Sequence, residues 1–206
     1  EADLACKVQT KRTGWFKTLQ QTERRWGVST EAQLAIIADE WGLTAKDLPS
    51  IWRPGWSFIG RRAPGLPVGY QDATWNRYKF ETGHQAASYK DFSDLSDFIG
   101  WYLSSAADIV DLMPGDAAGM YILWKEGPRG YQSRRWLNNT GMIYRSEQFA
   151  LRAQEISNGF QTCMQQSHSD SSPVIDTSAT PSSINPSENR KTLRPWTWRY
   201  REGRVN

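Results

Sequence analysis

Residues 30–42 read Thr-Glu-Ala-Gln-Leu-Ala-Ile-Ile-Ala-Asp-Glu-Trp-Gly, a pattern that predicts one helix with a buried face. The apolar positions recur at three- and four-residue spacing, as they do on a helix packed against a core: Leu34, Ile37, Ala38 and Trp41. Thr30 is a suitable N-cap, and Gln33 three residues later completes a capping box. Gly42 suits the left-handed position that follows a helix. We therefore expect a helix here, around which the rest of the chain packs.

An acid, Glu40, lies in the last turn of this helix. The negative end of the helix dipole and the apolar side chains of Ile36 and Ile37, one turn earlier, both disfavour the charged form of its carboxyl. A carboxyl that keeps its proton near neutral pH is what a general acid at a glycosidic oxygen requires. The alternative is that Glu40 points to solvent at a frayed helix end. Glu40 is thus the candidate catalytic residue.

The rest of the sequence predicts an all-α domain, because neither strand-like alternation nor a βαβ rhythm occurs in it. Residues 1–14 are interpreted as a polar lead-in, and further helices are expected at about 15–26, 73–82, 92–107, 117–127 and 141–164. Asp72, Asp91 and Asp116 are the expected N-caps of three of them. Residues 43–71 are rich in proline and glycine, which predicts a long loop with room for a small hairpin.

The C-terminal part of the chain changes in composition, which predicts a domain over 1–165 and a tail over 166–206. Residues 166–194 are rich in Ser, Thr, Asn and Pro, and such a segment buries too little apolar surface to order itself. Residues 195–204 are aromatic and basic. Trp196, Trp198 and Tyr200 are therefore candidate anchors for docking to a partner. The alternative is an unstructured, adhesive terminus.

Composition narrows the classes of function. The 206-residue chain carries a net charge of +3, which is mildly basic. This charge does not indicate a nucleic-acid-binding protein. Eleven tryptophans suit a helical core and also the stacking of rings on sugars. No stretch approaches the roughly 20 apolar residues of a transmembrane helix. No signal peptide is visible either, so we expect a cytosolic chain or one that has already been processed.

Two cysteines bracket the predicted domain, Cys6 near its start and Cys163 near its end. A disulfide between them would close the domain and would indicate an oxidising compartment. Two other interpretations stay open. The cysteines are unrelated buried thiols, or Leu4-Ala5-Cys6 ends a lipoprotein processing site and Cys6 carries a lipid.

Carboxylates are the candidate acid and base groups of this sequence. The sequence has two histidines, no metal-ligand spacing and no phosphate-binding glycine loop. A Ser-His-Asp arrangement is not expected, and neither is a metal or a cofactor. Beside Glu40, the candidates for a second acidic group are Glu126 and Asp72.

Several short segments, taken in order, resemble bacterial lytic transglycosylases of the goose-type lysozyme class. They are Glu23-Arg-Arg-Trp-Gly-Val28, a helix that ends in Glu40, Thr74-Trp75, Asp97-Phe-Ile-Gly-Trp-Tyr102, and Trp124-Lys-Glu-Gly127 followed by Gly130-Tyr131. The resemblance covers about residues 6–165, and 97–102 is its most specific segment. The terminal cysteine pair is also similar to that of members of this class.

The resemblance implies a lysozyme-like helical fold, a periplasmic setting that extends to association with the outer membrane, and peptidoglycan as the ligand. Members cleave the bond between N-acetylmuramic acid and N-acetylglucosamine and leave a 1,6-anhydro sugar. One glutamate acts first as the acid and then as the base, without a metal or cofactor. Glu40 corresponds to it, and the substrate-binding positions are Trp41, Tyr70, Gln71, Trp75, Trp124, Glu126 and Tyr131.

The sequence departs from the class beside the acid. Trp41 replaces the serine that normally follows the glutamate, and the glutamine of the loop is recovered only if Tyr70-Gln71 shifts in register. Trp124 and Lys125 replace a tyrosine and a histidine. Two hypotheses follow. The domain is a working peptidoglycan lyase with a variant cleft, or it has lost catalysis and binds the wall as a structural part of an envelope-spanning assembly such as a secretion system.

Overall fold

The computed structural model describes residues 1–46, 71–88 and 91–169, and this part of the chain is helical without any strand. The helices are α1 (Ala2–Lys11), α2 (Thr13–Trp26), α3 (Thr30–Trp41), α4 (Gln71–Thr82), α5 (Phe92–Val110), α6 (Ala117–Ser133) and α7 (Thr140–Ser169), with a short 3₁₀ helix, Arg135–Asn138, between α6 and α7. The all-α prediction is confirmed. Most of the predicted loop over 43–71, with its hairpin, and most of the tail lie outside the described residues.

Helix α3 is the central element, as predicted, and packs against α2, α5 and α7. Leu34, Ala35, Ile36 and Ile37 are all at most 1 % exposed, so the helix is buried on more than one face. Gly42 ends it in the left-handed conformation with φ of 63°. Because these three helices surround α3, they fix its orientation and hold its last turn in place.

The N-terminus of α3 differs from the prediction. Ser29, not Thr30, is the N-cap, and its hydroxyl accepts a hydrogen bond from the Ala32 amide. The carboxylate of Glu23 accepts from both the amide and the hydroxyl of Thr30, at 3.3 and 2.5 Å. The prediction of a capping box was therefore wrong. The Thr30 amide, which Gln33 was expected to bond, donates instead to Glu23 of the preceding helix.

Gln33 instead belongs to a buried polar network that joins three helices. Its amide nitrogen donates to the carbonyl oxygens of Leu19 and Val28, at 3.1 and 2.8 Å. Its amide oxygen accepts from the Ser96 hydroxyl at 2.7 Å, and Ser96 shares a second hydrogen bond of 2.8 Å with Thr22. The network ties α2, α3 and α5 together, and the hydrogen bonds among these buried groups offset the cost of removing them from water.

Two further helical segments were missed in the sequence. Residues 2–11, interpreted as a lead-in, form α1, which buries Leu4, Ala5 and Val8 against α7. Helix α6 continues past its predicted end to Ser133, after a kink at Gly127, whose φ of 69° and ψ of 174° are not helical. The kink redirects the second half of α6, and this half borders the groove described below. The predicted caps Asp91 and Asp116 are confirmed, whereas the prediction of Asp72 as a cap was wrong, because α4 begins at Gln71 and includes Asp72.

A disulfide joins α1 to α7 through Cys6 and Cys163, whose Cα atoms lie 5.5 Å apart. The two helices also pack closely, since a Cβ atom on Gly159 would lie 2.7 Å from the Cα of Ala2. The disulfide prediction is confirmed. It uses the sulfur that a lipid on Cys6 would need, and it rules out two unrelated thiols. None of the described helices is both long and apolar enough to cross a membrane.

Gly100 marks a close contact between α5 and α2 and gives a first prediction. A Cβ atom there would lie 2.7 Å from Cδ1 of Trp26 and closer still to the Thr22 methyl group. Both side chains are held by hydrogen bonds, Trp26 to Asp97 and Thr22 to Ser96, so neither yields easily. We expect Gly100→Ala to lower the free energy of unfolding by about 1–3 kcal/mol in urea titrations.

The matched control is Gly14→Ala in α2, where an added Cβ meets nothing within 4 Å. This change should be neutral or stabilising by up to about 1 kcal/mol, because alanine is the better helix former. Equal unfolding midpoints for the two variants would contradict the close contact at Gly100.

Candidate functional site

Glu40 lies in the last turn of α3 and faces α6. Its side chain is 6 % exposed, and its carboxylate accepts hydrogen bonds from Trp124 Nε1 at 2.8 Å and from Lys125 Nζ at 2.5 Å. Both donors bond the same oxygen, Oε1. The interpretation of a frayed, solvent-directed side chain is therefore wrong. Glu40 is a buried partner of α6.

The two oxygens of the Glu40 carboxylate differ in their contacts, and the second one is Oε2. It accepts no hydrogen bond from the part of the chain that the structure describes, and it is not among the buried polar atoms that lack a partner. Within the described residues, both hydrogen bonds to the carboxylate therefore fall on Oε1.

Lys125 is the centre of a small charge network. Its ammonium lies 3.4 Å from Asp39 and 5.2 Å from the centre of the Tyr121 ring, in addition to its contact with Glu40. Burial alone would lower the pKa of Lys125. The hydrogen bond and charge of Glu40, with smaller contributions from Tyr121 and Asp39, outweigh burial and raise this pKa above its ordinary value. Lys125 is therefore charged at neutral pH.

The sequence argument about Glu40 did not include the cation at Lys125. The Lys125 ammonium lies 2.5 Å from Oε1 of Glu40 and supplies an opposite charge at the end of α3. Arg152 extends the network, because its Nη1 lies 3.3 Å from Asp39.

A groove of about 700 Å³ lies beside this network, between α4, α5 and both halves of α6. Its polar lining residues are Thr74, Arg77, Tyr102, Ser105, Glu126, Arg129 and Gln132. The kink at Gly127 creates room on this side, since even an added Cβ there would meet only the Tyr102 hydroxyl, at 3.6 Å. The groove therefore offers guanidinium, carboxylate, amide and hydroxyl groups next to the apolar surfaces of Ile109 and Pro128.

Tyr102 supplies the groove with a hydrogen-bond donor. Burial raises the pKa of Tyr102 to about 12, although the charge of Arg77 acts in the opposite direction. The phenol therefore stays protonated at neutral pH.

Trp124 connects Glu40 to the groove. Its Nε1 donates to Glu40, and its ring packs edge-on against the ring of Tyr102, with centroids 5.4 Å apart. Glu40 itself is not among the groove-lining residues. The carboxyl thus lies one side chain away from the groove.

The other proposed substrate-binding residues fall in different places. Glu126 lines the groove, whereas Trp75 is 4 % exposed and packs on Tyr78 and Phe98 in the core. Tyr131 packs against Trp136, which also donates its Nε1 to the Tyr131 carbonyl oxygen. For Trp41 and Gln71 only the helical backbone is described. Tyr70 and the tail residues Trp196, Trp198 and Tyr200 lie outside the described residues.

Of the polar groove residues, only Glu126 was predicted as a site residue from the sequence. Arg77 and Arg129 had no motif to mark them, and Tyr102 was noted only as the end of the resembling segment 97–102. A signal for Tyr102 was available, because a tyrosine on an otherwise apolar face brings a hydroxyl that needs a partner. Lys125 was noted only as a departure from the class.

Segment 97–102, the most specific part of the resemblance, has a structural role. The Asp97 carboxylate accepts from Trp26 Nε1 at 2.7 Å, from the Tyr78 hydroxyl at 2.9 Å and from Arg25 Nη1 at 3.2 Å. Asp97 therefore joins α2, α4 and α5 behind the groove.

Comparison with known proteins agrees with the fold and the resemblance. A search of curated proteins and a search of solved structures each gave no match. The sequence model of the transglycosylase SLT domain matches residues 1–163, a range that includes Glu40, the groove and both cysteines. The chain therefore belongs to the transglycosylase SLT domain family and has a lytic transglycosylase-like, peptidoglycan-related function.

Proposed function

We propose that this domain binds the glycan strands of peptidoglycan along the groove and does not cleave them in its resting form. The observation that carries the proposal is the ion pair between Glu40 and Lys125, at 2.5 Å and largely out of solvent. A general acid must hold a proton before the reaction starts. A carboxylate paired with a charged lysine does not hold one.

The groove supports glycan binding. Ligand sites combine apolar surface with a few polar groups that fix orientation, and sugars present hydroxyl groups next to apolar ring faces. The Tyr102 phenol and the Arg129 guanidinium supply donors, and Glu126 supplies an acceptor. These groups do not depend on Glu40 being protonated, so binding and cleavage are separable.

The setting follows from the disulfide and the family. Disulfides persist in oxidising compartments, so the protein belongs in the periplasm, where peptidoglycan is accessible. Association with the outer membrane and docking of Trp196, Trp198 and Tyr200 to an envelope-spanning assembly are further parts of this proposal. Truncation after residue 169, followed by co-purification from detergent-solubilised envelopes, tests the docking part.

Sedimentation with purified peptidoglycan sacculi tests the main proposal. We expect the wild-type chain to sediment with sacculi and to release no 1,6-anhydro-muropeptides detectable by mass spectrometry. The double variant Tyr102→Phe/Arg129→Ala should bind at least about tenfold more weakly, because it removes one neutral and one charged donor from the groove. Glu40→Gln should bind like the wild type, since Glu40 does not line the groove.

The matched control is Arg24→Ala, an exposed arginine on α2 that removes the same charge away from the groove. It should leave binding unchanged. Failure of the wild type to sediment would exclude wall binding. Release of anhydro-muropeptides by the wild type would instead favour the working lyase.

A further inference from the structure

We infer that the groove recognises the peptide stems of peptidoglycan as well as its sugars, with Arg129 binding a carboxylate and Glu126 binding an ammonium of the stem. The inference rests on the proposed function, because it takes the groove as the site that meets the wall. It deepens that function by naming the part of peptidoglycan that these two side chains select.

Two of the three charged groups that line the groove have no ionic partner. Arg77, the third, is paired with Glu81 at 2.9 Å and lies over the Trp101 ring, 5.1 Å from the ring centre. Glu126 and Arg129 form no ion pair with any residue that the structure describes. Both side chains are exposed, and both line the groove. They therefore offer one carboxylate and one guanidinium to a ligand.

The kink in α6 explains why these two side chains do not pair with each other. On a regular helix, a glutamate and an arginine three residues apart are neighbours and attract each other. Gly127, with φ of 69° and ψ of 174°, interrupts the helix between them. Glu126 therefore ends the first half of α6, and Arg129 lies in the second half. The opposite charges stay apart within one groove, and each can bind a separate group.

Gly130 is a positioning residue for Glu126. A Cβ atom on Gly130 would lie 2.7 Å from Cβ of Glu126 and 3.3 Å from its Oε2. The Glu126 side chain thus folds back across residue 130, and it has this space because that residue is glycine. Its carboxylate lies beside the residue that follows Arg129 in the chain. One short ligand can therefore reach both charges.

The chemistry of peptidoglycan indicates which part of it matches this pair. The sugar rings are neutral, whereas a stem carries carboxylates together with the free amine of its diamino acid. A strand without stems has only the carboxylate of the muramyl lactyl group, which Arg129 attracts and Glu126 repels. The methyl groups of the stem alanines suit the apolar surfaces of Ile109 and Pro128. Charge complementarity therefore favours strands that still carry their stems.

Three soluble probes test the inference by NMR titration of the 206-residue chain. They are the N-acetylglucosaminyl-N-acetylmuramic acid disaccharide with its tetrapeptide, the same compound with the amine of the diamino acid acetylated, and the disaccharide without peptide. None of them contains the bond between N-acetylmuramic acid and a following N-acetylglucosamine, so binding is measured without cleavage. Relative to the first probe, we expect the second to bind about two- to fivefold more weakly and the third about tenfold more weakly. Solvent screens exposed ion pairs, which limits the effect of each charge.

Substitutions assign each charge of the ligand to one side chain. Glu126→Gln should bind the free and the acetylated tetrapeptide probe equally, whereas Arg129→Gln should still distinguish them but bind both about two- to fivefold more weakly. Gly130→Ala keeps every charge and should nevertheless lose the preference for the free amine, because the added Cβ displaces Glu126. A merely structural defect would instead weaken all three probes alike. The matched controls Glu147→Gln and Arg24→Gln remove the same charges from exposed positions outside the groove and should bind like the wild type.

Salt gives a further measurement on the same probes. Raising sodium chloride from about 50 to about 500 mM should reduce the preference for the free amine, since added ions screen exposed charge pairs. Equal binding of the free and the acetylated probe by the wild type overturns the inference, and this comparison needs no variant to fold. A Glu126→Gln chain that still prefers the free amine overturns it as well. Failure of the proposed function has a different signature, in which none of the probes binds and the wild type does not sediment with sacculi.

Discussion

Replacement of both Cys6 and Cys163 by alanine should lower the free energy of unfolding by roughly 4–5 kcal/mol, the effect of opening a very long loop in the chain-entropy model. The two residues are 157 positions apart, so the disulfide restricts nearly the whole domain in its unfolded state. For a domain of this size, the loss corresponds to a fall in melting temperature of about 10–20 °C. Thermal unfolding followed by circular dichroism measures it directly.

Reduction provides the control for this prediction. A reducing agent should lower the melting temperature of the wild type by a similar amount and should leave the double alanine variant unchanged. The variant should still fold, because Leu4, Ala5 and Val8 of α1 keep their packing on α7. A fall of less than about 2 °C would show that packing alone holds α1 in place.

The helices were predictable to the extent that their own residues determine them. Asp91 and Asp116 bond amides two or three residues ahead, so short-range pattern is enough to identify both caps. Helix α1 was missed because only three of its ten residues are buried, and α7, far away in sequence, supplies the surface that covers them. Local pattern therefore identifies helix ends better than it identifies helices stabilised by distant contacts.

For the candidate site, too, local sequence pattern predicts less than the structure shows. The position of Glu40 at the end of a buried helix follows from residues 30–42 alone. Its two hydrogen-bond donors come from 84 and 85 residues further along the chain. The sequence argument considered only the helix itself. It therefore left out the ammonium of Lys125, which another helix places against the carboxylate, and no periodicity in α3 could have indicated that contact.

Gln33→Ala should lower the free energy of unfolding by about 3–5 kcal/mol, well beyond what a helix cap contributes. The side chain is completely buried, and its loss leaves the carbonyl oxygens of Leu19 and Val28 without this donor and the Ser96 hydroxyl without its acceptor. Each buried polar group left unpaired costs about 1–3 kcal/mol, and the cavity left by the missing amide adds to the loss. Equilibrium unfolding in urea measures the change.

Ser29→Ala is the natural comparison, because it removes the hydroxyl that caps α3 and leaves the core intact. The cap should contribute about 1 kcal/mol. If Gln33 acted as the capping-box residue that the sequence suggested, its replacement would have an effect of the same size as that of Ser29. A Gln33→Ala effect several times larger is expected only if the network with Ser96 and Thr22 holds α2, α3 and α5 together. Because α3 carries Glu40 at its other end, the same substitution should also weaken the ion pair with Lys125, which NMR of the Glu40 carboxyl would detect.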